Sequence, residues 1–260
     1  MTHQPKIICI IQARRGSSRL PDKILRPLGG TPVLAHVIRR AKAAQMVRQV
    51  VVAVPNEDAS DALTDIADAE GALWFKGSET DVLSRYYHAA VYEAEKSGQQ
   101  ADYIIRVTSD CPLLSPQVLD GMITDALQNK ANYAGAGHFP HGLDCELCSF
   151  TLLKQAHVQA TNPHDREHVT LWMKRQTDIK KHTLMADKNY HADNRWVLDY
   201  PEDYDFLKAL FDAMGADILT ASWQQIIDFI NARPALRALN AEQVKLWREK
   251  TQKIIEQAKS

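Results

Sequence analysis

No apolar run in this 260-residue chain approaches the roughly 20 residues of a membrane-spanning helix, and Met1-Thr2-His3-Gln4-Pro5-Lys6 has none of the apolar core of a signal peptide. A soluble, cytoplasmic protein with no membrane partner is expected. Only four cysteines are present, Cys9, Cys111, Cys145 and Cys148, set mostly inside apolar or loop segments. They read as reduced thiols and exclude a disulfide framework. Neither sign of charge dominates: 31 Lys and Arg against 32 Asp and Glu leave a net charge of −1, with no general pull toward nucleic acid or acidic membranes. The tyrosines and tryptophans do not interleave with a basic stripe, so they read as core or pocket walls. Several signatures are also missing. There is no Gly-x-x-x-x-Gly-Lys-Ser/Thr loop, no Gly-x-Gly-x-x-Gly after the first strand, no Gly-x-Ser-x-Gly elbow and no Cys-His nucleophile pattern. Internal repeats, low-complexity tracts and clear linkers are absent too.

What is present begins at the first strand. Ile7 to Ala13 is almost unbroken apolar sequence, the pattern of a parallel strand buried on both faces. It runs into Arg14-Arg15-Gly16-Ser17-Ser18-Arg19-Leu20-Pro21-Asp22-Lys23, which is small, polar and cationic. Ligands of open α/β sheets bind beyond the carboxyl ends of the strands, so this loop lies where a ligand belongs. Gly16, Ser17 and Ser18 can bring backbone N–H groups close to an anion, while Arg14, Arg19 and Lys23 supply charge that a phosphate chain would neutralise. The competing reading is a solvated basic surface loop. Because the cations are local and the chain as a whole is neutral, a small polyanion suits them better than a polymer.

Strands and helices then alternate. Thr31-Pro32 is expected to cap a helix with the stripe Val33, Leu34, Val37, Ile38 and Ala41. Val50–Val54, Leu73–Phe75 and Tyr103–Val107 read as strands, with helices through Leu63 and Ile66, from Val82, and after the Ser115-Pro116 cap. In the second half Leu143–Phe150 reads as a strand, Thr151–Ala160 and His164–Arg175 as helices, and Trp196–Asp199 as a short strand. A helix starting at Pro201 is stopped by Gly215, and two or three amphipathic helices follow Ser222. The alternation predicts an α/β fold, a Rossmann-like, mostly parallel sheet covered by helices on both faces. The α/β domain is expected over 1–215, with a helical extension over 216–260.

Asp110 and Asp199 each follow a predicted strand, so both would reach the crevice that holds the cationic loop. Two carboxylates beside a triphosphate are what Mg²⁺ takes, together with phosphate oxygens and water. The alternative is that Asp110 caps a turn and Asp199 caps the helix at Pro201. His138, His141, Cys145 and Cys148 have a superficial zinc-like spacing. However, Leu143, Cys145 and Leu147 alternate with Asp144, Glu146 and Cys148, which reads as a strand and makes the cysteine pair metal-free. In that strand Asp144 and Glu146 would face the cleft and accept hydrogen bonds from substrate hydroxyls. Asp165-Arg166-Glu167-His168 starts a predicted helix. Its acids suit the helix dipole, whereas Arg166 or His168 could pair with an anionic group of a substrate.

These residues stand in an order that resembles the nucleotide-sugar cytidylyltransferases acting on 3-deoxy-octulosonate and acylneuraminate sugars, above all the branch of the spore-coat polysaccharide biosynthesis protein F. The resemblance rests on Gln12–Lys23, Gly77-Ser78-Glu79-Thr80-Asp81-Val82-Leu83 and Thr108-Ser109-Asp110-Cys111-Pro112-Leu113. It continues through Gly142-Leu143-Asp144-Cys145-Glu146, Asp165-Arg166-Glu167-His168-Val169-Thr170 and Leu198-Asp199-Tyr200-Pro201-Glu202-Asp203. It implies the nucleotide-diphospho-sugar transferase type of fold, with a nucleotide half near 1–135 and a sugar half near 136–215. It also implies that Arg14 and Lys23 hold the triphosphate of CTP and serve catalysis, with Gly16, Ser17, Ser18 and Arg19 beside them. Gly77, Ser78, Asp81 and Thr108 match nucleotide-binding positions, and Asp110 and Asp199 match Mg²⁺ positions. Asp144, Glu146, Arg166, Glu167 and His168 fall in the sugar-binding half. Where the octulosonate enzymes carry Gln-Gly-Asp-Glu-Pro, this chain has Thr108-Ser109-Asp110-Cys111-Pro112, so a glutamine side chain does not select the base here.

The expected reaction is transfer of CMP from CTP to an acidic or modified sugar, with release of pyrophosphate, for surface polysaccharide synthesis; a homodimer is an expected assembly. The alternatives are a nucleotidyltransferase using another triphosphate and a glycosyltransferase of related fold. The second usually carries an Asp-x-Asp metal motif, which Asp110-Cys111-Pro112 is not.

Overall fold

The computed structural model describes residues 4–257. Its first strand, β1 (Ile7–Gln12), sends Ile7, Cys9 and Ile11 to one face and Ile8 and Ile10 to the other, so each side of the strand feeds a separate apolar core. A two-residue hairpin follows, β2 (Pro27–Leu28) with β3 (Thr31–Pro32), and then α1 (Val33–Ala43). The first half continues as β4 (Gln49–Pro55), α2 (Asp61–Ala69), β5 (Leu73–Gly77), α3 (Val82–Ser97), β6 (Tyr103–Thr108) and α4 (Pro116–Gln128). The second half comprises β7 (Tyr133–Gly137), β8 (Glu146–Ser149), α5 (Phe150–Gln159), α6 (Pro163–His168), α7 (Leu171–Arg175), β9 (Lys181–Met185) and α8 (Pro201–Met214). Three helices close it, α9 (Trp223–Asn231), α10 (Pro234–Ala238) and α11 (Ala241–Gln257).

Seven strands make one sheet in the order β5-β4-β1-β6-β8-β7-β9. β8 is antiparallel to both its neighbours, and the other pairings in the sheet are parallel. Residues of α1, α4, α8 and α9 cover one face, and residues of α3, α5 and α7 the other. The expected mostly parallel, doubly covered sheet is the one observed. Trp223, Ile226, Ile230 and Leu236 of the C-terminal helices join the same core as β1, so α9 and α10 are packed into the body of the fold.

Six local expectations need correction. Thr31 does not cap α1; it pairs with Leu28 in the hairpin, and the helix starts after Pro32 without a side-chain cap. β7 was not expected, because Tyr133-Ala134-Gly135-Ala136-Gly137 has low strand propensity. A Cβ on Gly137 would lie 2.7 Å from Met185 Sδ, so glycine there lets β9 pack alongside. β9 was missed as well, since Lys181–Met185 is a polar edge strand. The expected strand Leu143–Phe150 is shortened to β8, its first three residues being irregular after a turn at Gly142. The single helix expected over His164–Arg175 is two, α6 and α7. They are divided at Val169 (φ 63°, ψ −57°), where Thr170 N donates to His168 O at 2.6 Å to close a γ-turn.

The sixth correction bears on the site. Trp196–Asp199 has no regular structure and is not a strand of the sheet. It is held from two sides: Trp196 N donates to His141 O at 2.7 Å, and Leu198 N donates to Asp110 O at 2.9 Å. Gly142 makes the first contact feasible, because it sits at φ 107° and a Cβ there would meet the Trp196 carbonyl carbon at 2.8 Å.

Candidate active site

β1 and β6 end side by side, Gln12 opposite Thr108, and the loops that follow them form the mouth of a cleft of about 310 Å³. Arg14, Gly16, Ser17, Ser18, Arg19 and Lys23 line it from the first loop, and Thr108, Asp110 and Asp199 from the loops beside it. The first loop is shaped by Arg15, whose Nε and Nη2 donate to the two carboxylate oxygens of Asp22 at 2.8 and 2.9 Å. Asp22 itself adopts φ 53°, turning the chain so that Lys23 points back under Arg14-to-Arg19 toward the acids.

Lys23 is the centre of the arrangement. Its ammonium donates to Asp110 Oδ2 at 2.7 Å and to Asp199 Oδ1 at 2.9 Å. Two carboxylates 89 positions apart in sequence therefore converge on one nitrogen, close enough for one ion to reach both. The contact between Leu198 N and Asp110 O explains how: the backbone of the Trp196–Asp199 segment is fastened directly to the loop after β6. Burial opposes the Lys23 charge, but Asp110 and Asp199 outweigh it and raise its pKa above the ordinary lysine value. Burial likewise works against the Asp199 carboxylate, yet Lys23, Arg19 and Arg195 bring it down to about 2.

Asp199 is also braced from behind. Arg195 Nη2 donates to Asp199 Oδ2 at 3.1 Å, while its Nε and Nη2 grip buried Asp203 at 3.0 Å each. Asp203 Oδ2 accepts from the backbone N–H groups of Asp199 and Tyr200 at 3.1 Å, so Asp203 and not Asp199 satisfies the start of α8. Arg19 completes the mouth, its guanidinium 3.2 Å from Asp199 Oδ1 and 4.7 Å from the centre of the Tyr200 ring. Arg14 is exposed at the rim and makes no hydrogen bond or ion pair among the described residues.

Other expected site residues lie elsewhere or are occupied. Gly77 and Ser78 line a separate hollow with Asn56 and Glu57 at the ends of β4 and β5. Asp81 caps α3, its Oδ1 accepting from Ser84 N at 2.9 Å, and its other oxygen accepts from Arg166 Nε at 2.8 Å. Arg166 thus locks α6 onto the start of α3 and also donates to the carbonyls of His157 and Ala160. Glu167 and His168 do line the cleft.

Asp144 and Glu146 do not face it. Leu143–Cys145 is irregular and not strand, so the alternation that aimed Asp144 at the cleft fails. Asp144 instead accepts from Gly142 N at 3.1 Å and lies 3.8 and 3.5 Å from His141 and His191. Glu146 is the hub of an internal network. It accepts from Arg106 Nη1 at 2.9 Å, Tyr133 Oη at 2.5 Å and Thr170 Oγ1 at 3.0 Å, and pairs with Lys174 at 2.6 Å. Burial would raise its pKa, but Arg106 and Lys174 hold it at about 2. Cys145 and Cys148 belong to the cores on opposite faces of the sheet, which separates their sulfurs. Burial pushes the Cys148 thiol up to about 12.

Two charged residues of the cleft are not among the expected ones, Arg85 and Arg106. Both are cations placed inside apolar patterns, Arg106 within Tyr103–Thr108 and Arg85 next to Tyr86 on α3, and that mismatch is the signal by which they could have been found. Among the described residues, no group of three or more His, Cys, Asp or Glu side chains is arranged to hold a metal ion. The Asp110–Asp199 pair offers two carboxylates.

The fold is that of the nucleotide-diphospho-sugar transferases. Spore coat polysaccharide biosynthesis protein SpsF of Bacillus subtilis is 33% identical over 235 residues, which cover 88% of this chain and 95% of that protein. The structure of a cytidylyltransferase from Leptospira borgpetersenii superposes with a TM-score of 0.81 at 29% identity, covering 89% of this chain and 96% of that one. CMP:2-keto-3-deoxy-manno-octonic acid synthetase in complex with CTP gives a TM-score of 0.62 at 18% identity, over 80% of this chain and 99% of that one, a likeness of fold. The sequence profile described as cytidylyltransferase matches residues 8–246, so that the cationic loop, both aspartates and the helices behind them all fall within it. On that match this chain belongs to the cytidylyltransferase family and is a nucleotidyltransferase.

Proposed function

We propose that this protein transfers CMP from CTP to a hydroxyl of an acidic or modified sugar, with Mg²⁺ as cofactor and pyrophosphate as the second product. The observation that carries the reading is the junction of Lys23, Asp110 and Asp199 at the mouth of a cleft rimmed by Arg14 and Arg19. A nucleotide triphosphate supplies the anion that such a rim neutralises, and the profile match to cytidylyltransferases favours CTP.

The residues fit a divalent ion. Asp110 and Asp199 present hard oxygen donors to one point, currently taken by an ammonium, and Mg²⁺ binds one or two carboxylates with phosphate oxygens and water. Bound there, Mg²⁺ would neutralise charge on the phosphates and acidify the attacking hydroxyl. Arg14, Arg19 and Lys23 hold the triphosphate and oppose the charge that builds as the bond to pyrophosphate breaks and the new P–O bond forms. Gly16, Ser17 and Ser18 let the backbone approach the phosphates closely. Arg195 fixes the Asp199 carboxylate so that it does not turn away when Lys23 moves to phosphate. Glu167 and His168, on the far wall, are placed to meet the sugar.

The test is product identity. Incubation with CTP, Mg²⁺ and a panel of acidic sugars, followed by phosphorus NMR, should show pyrophosphate and a CMP-sugar phosphodiester appearing in equal amounts. Free CMP without a sugar adduct, or consumption of a nucleotide sugar in place of CTP, would contradict the assignment.

A further inference from the structure

Arg85 is the most deeply buried charged side chain of the cleft. It is 2% exposed, lines the cleft beside Gln12, Ala13, Arg14 and Val82, and forms no ion pair among the described residues. Its Nη1 donates to Ser78 O at 2.5 Å and lies 3.5 Å from Glu79 O. Its Nε is buried with no hydrogen-bond partner. Arg106 of the same cleft also has a buried Nε without a partner, but its charge is paired with Glu146; buried Arg195 has Asp203 and Asp199, and buried Arg40 the carbonyls of Leu114 and Ile218. A buried donor left unpaired costs stability, and a ligand that supplies the acceptor removes that cost.

The surroundings narrow the acceptor. The phosphate cations belong to the loop after β1, where Lys23 and Arg19 meet the site acids and Arg14 stands at the rim, whereas Arg85 stands on α3 and is tied to the Ser78–Glu79 backbone. Ala13 and Val82 give this end of the cleft apolar walls, which suit a flat ring. The site also depends on glycine at position 77: a Cβ there would lie 3.0 Å from Arg85 Cγ and 2.9 Å from Phe75 Cε1. The backbone of the β5–α3 connection and the guanidinium are thus packed against each other.

We infer that Arg85 reads the base of the nucleotide by donating to the adjacent O2 and N3 acceptors of cytosine, and so sets the preference for CTP over UTP. A guanidinium is donor-only. Cytosine offers it two neighbouring acceptors, while uracil puts an N–H at N3 and leaves donor facing donor, an element of repulsion as well as lost attraction. The role fills the gap left by Thr108-Ser109, where the related octulosonate enzymes carry a glutamine. The inference rests on the proposed use of CTP.

Arg85→Met and Arg85→Lys test it. Met keeps the stem packing and removes an unpaired buried charge, so its Tm should stay within a few degrees of wild type. Lys keeps the charge but loses the planar fork. In both, the ratio of kcat/KM for CTP over UTP should fall at least about tenfold, and calorimetric affinity for CMP should fall with it. Affinity for inorganic triphosphate should be unchanged, since the phosphate contacts lie on the other loop. An unchanged CTP-to-UTP ratio, or equal losses for CMP and triphosphate, would overturn the inference while leaving cytidylyl transfer standing. A large drop in Tm for both variants would make Arg85 a structural residue and overturn it too. Failure of wild type to bind any of the triphosphates would count against the proposed function itself.

Discussion

Lys23 shares one ammonium between two carboxylates, so replacing it leaves Asp110 without its cation and Asp199 with Arg19 and Arg195 alone. Lys23→Met should lower stability by about 2 kcal/mol in chelator, and addition of Mg²⁺ should restore part of it, because an ion that binds the folded carboxylates stabilises the fold by linkage. Urea denaturation with and without Mg²⁺ measures both effects, and a variant whose stability ignores Mg²⁺ would argue against a metal at Asp110 and Asp199. The same substitution, or Arg14→Ala, should weaken CTP binding by about 1.5–3 kcal/mol as one charge-assisted contact to phosphate is lost. Unchanged affinity in both would remove these residues from the phosphate site. Glu146 is a different case, since its charge serves the fold. With a folded pKa of about 2 against 4.5 unfolded, its contribution is present above pH 4.5 and is lost as pH falls through about 2. Glu146→Gln should flatten the fall in stability over that range, as read by denaturation at successive pH values.

At the scale of elements, what the sequence made legible was the first half. Ile7–Gln12, Val50–Val54 and Tyr103–Val107 are apolar enough to announce buried strands, and Ser115-Pro116 and Gly215 mark helix ends that the structure keeps. The second half was harder for a physical reason: its segments are held by contacts distant in sequence. Trp196–Asp199 is held in place by the loops at Asp110 and His141, and nothing within those four residues states that. Nor does Pro163–Arg175 announce the turn at Val169, since a β-branched residue at φ 63° is disfavoured and is imposed by the packing of Thr170 on Glu146. The last helix likewise reaches back to this region, Trp247 of α11 stacking on His141 with ring centres 3.8 Å apart. Burial brings the His141 pKa down to about 4, so this imidazole is neutral at pH 7 and its protonation below about pH 6.5 favours the unfolded chain. Trp247→Ala should uncover the ring and raise its pKa toward the ordinary value, which proton NMR of the histidine signals would register. A value still near 4 would show that Trp247 does not control the burial.

Across the whole molecule, the sheet order is what turns separate motifs into a site. β1 and β6 are neighbours in space although 90-odd residues of chain lie between their starts, and their carboxyl ends therefore open on one cleft. The cationic loop and Asp110 come from those two ends. Asp199 is delivered from outside the sheet by the segment docked on the Asp110 backbone, and Arg195 and Asp203 set its direction. Asp110 could be named from sequence because it follows a strand end, whereas Asp199 was reached through a strand that does not form, and the Arg195–Asp203 network behind it leaves no periodic signal.

The most direct measurement is pyrophosphate release from CTP and an acidic sugar by Asp110→Asn and Asp199→Asn beside wild type, each checked for fold by circular dichroism. Asparagine keeps the shape of the side chain and removes its charge, so turnover should fall on the order of 10²-fold or more in each variant with the fold intact. Full activity in both asparagine variants would contradict the assignment of the Lys23–Asp110–Asp199 junction as the catalytic centre.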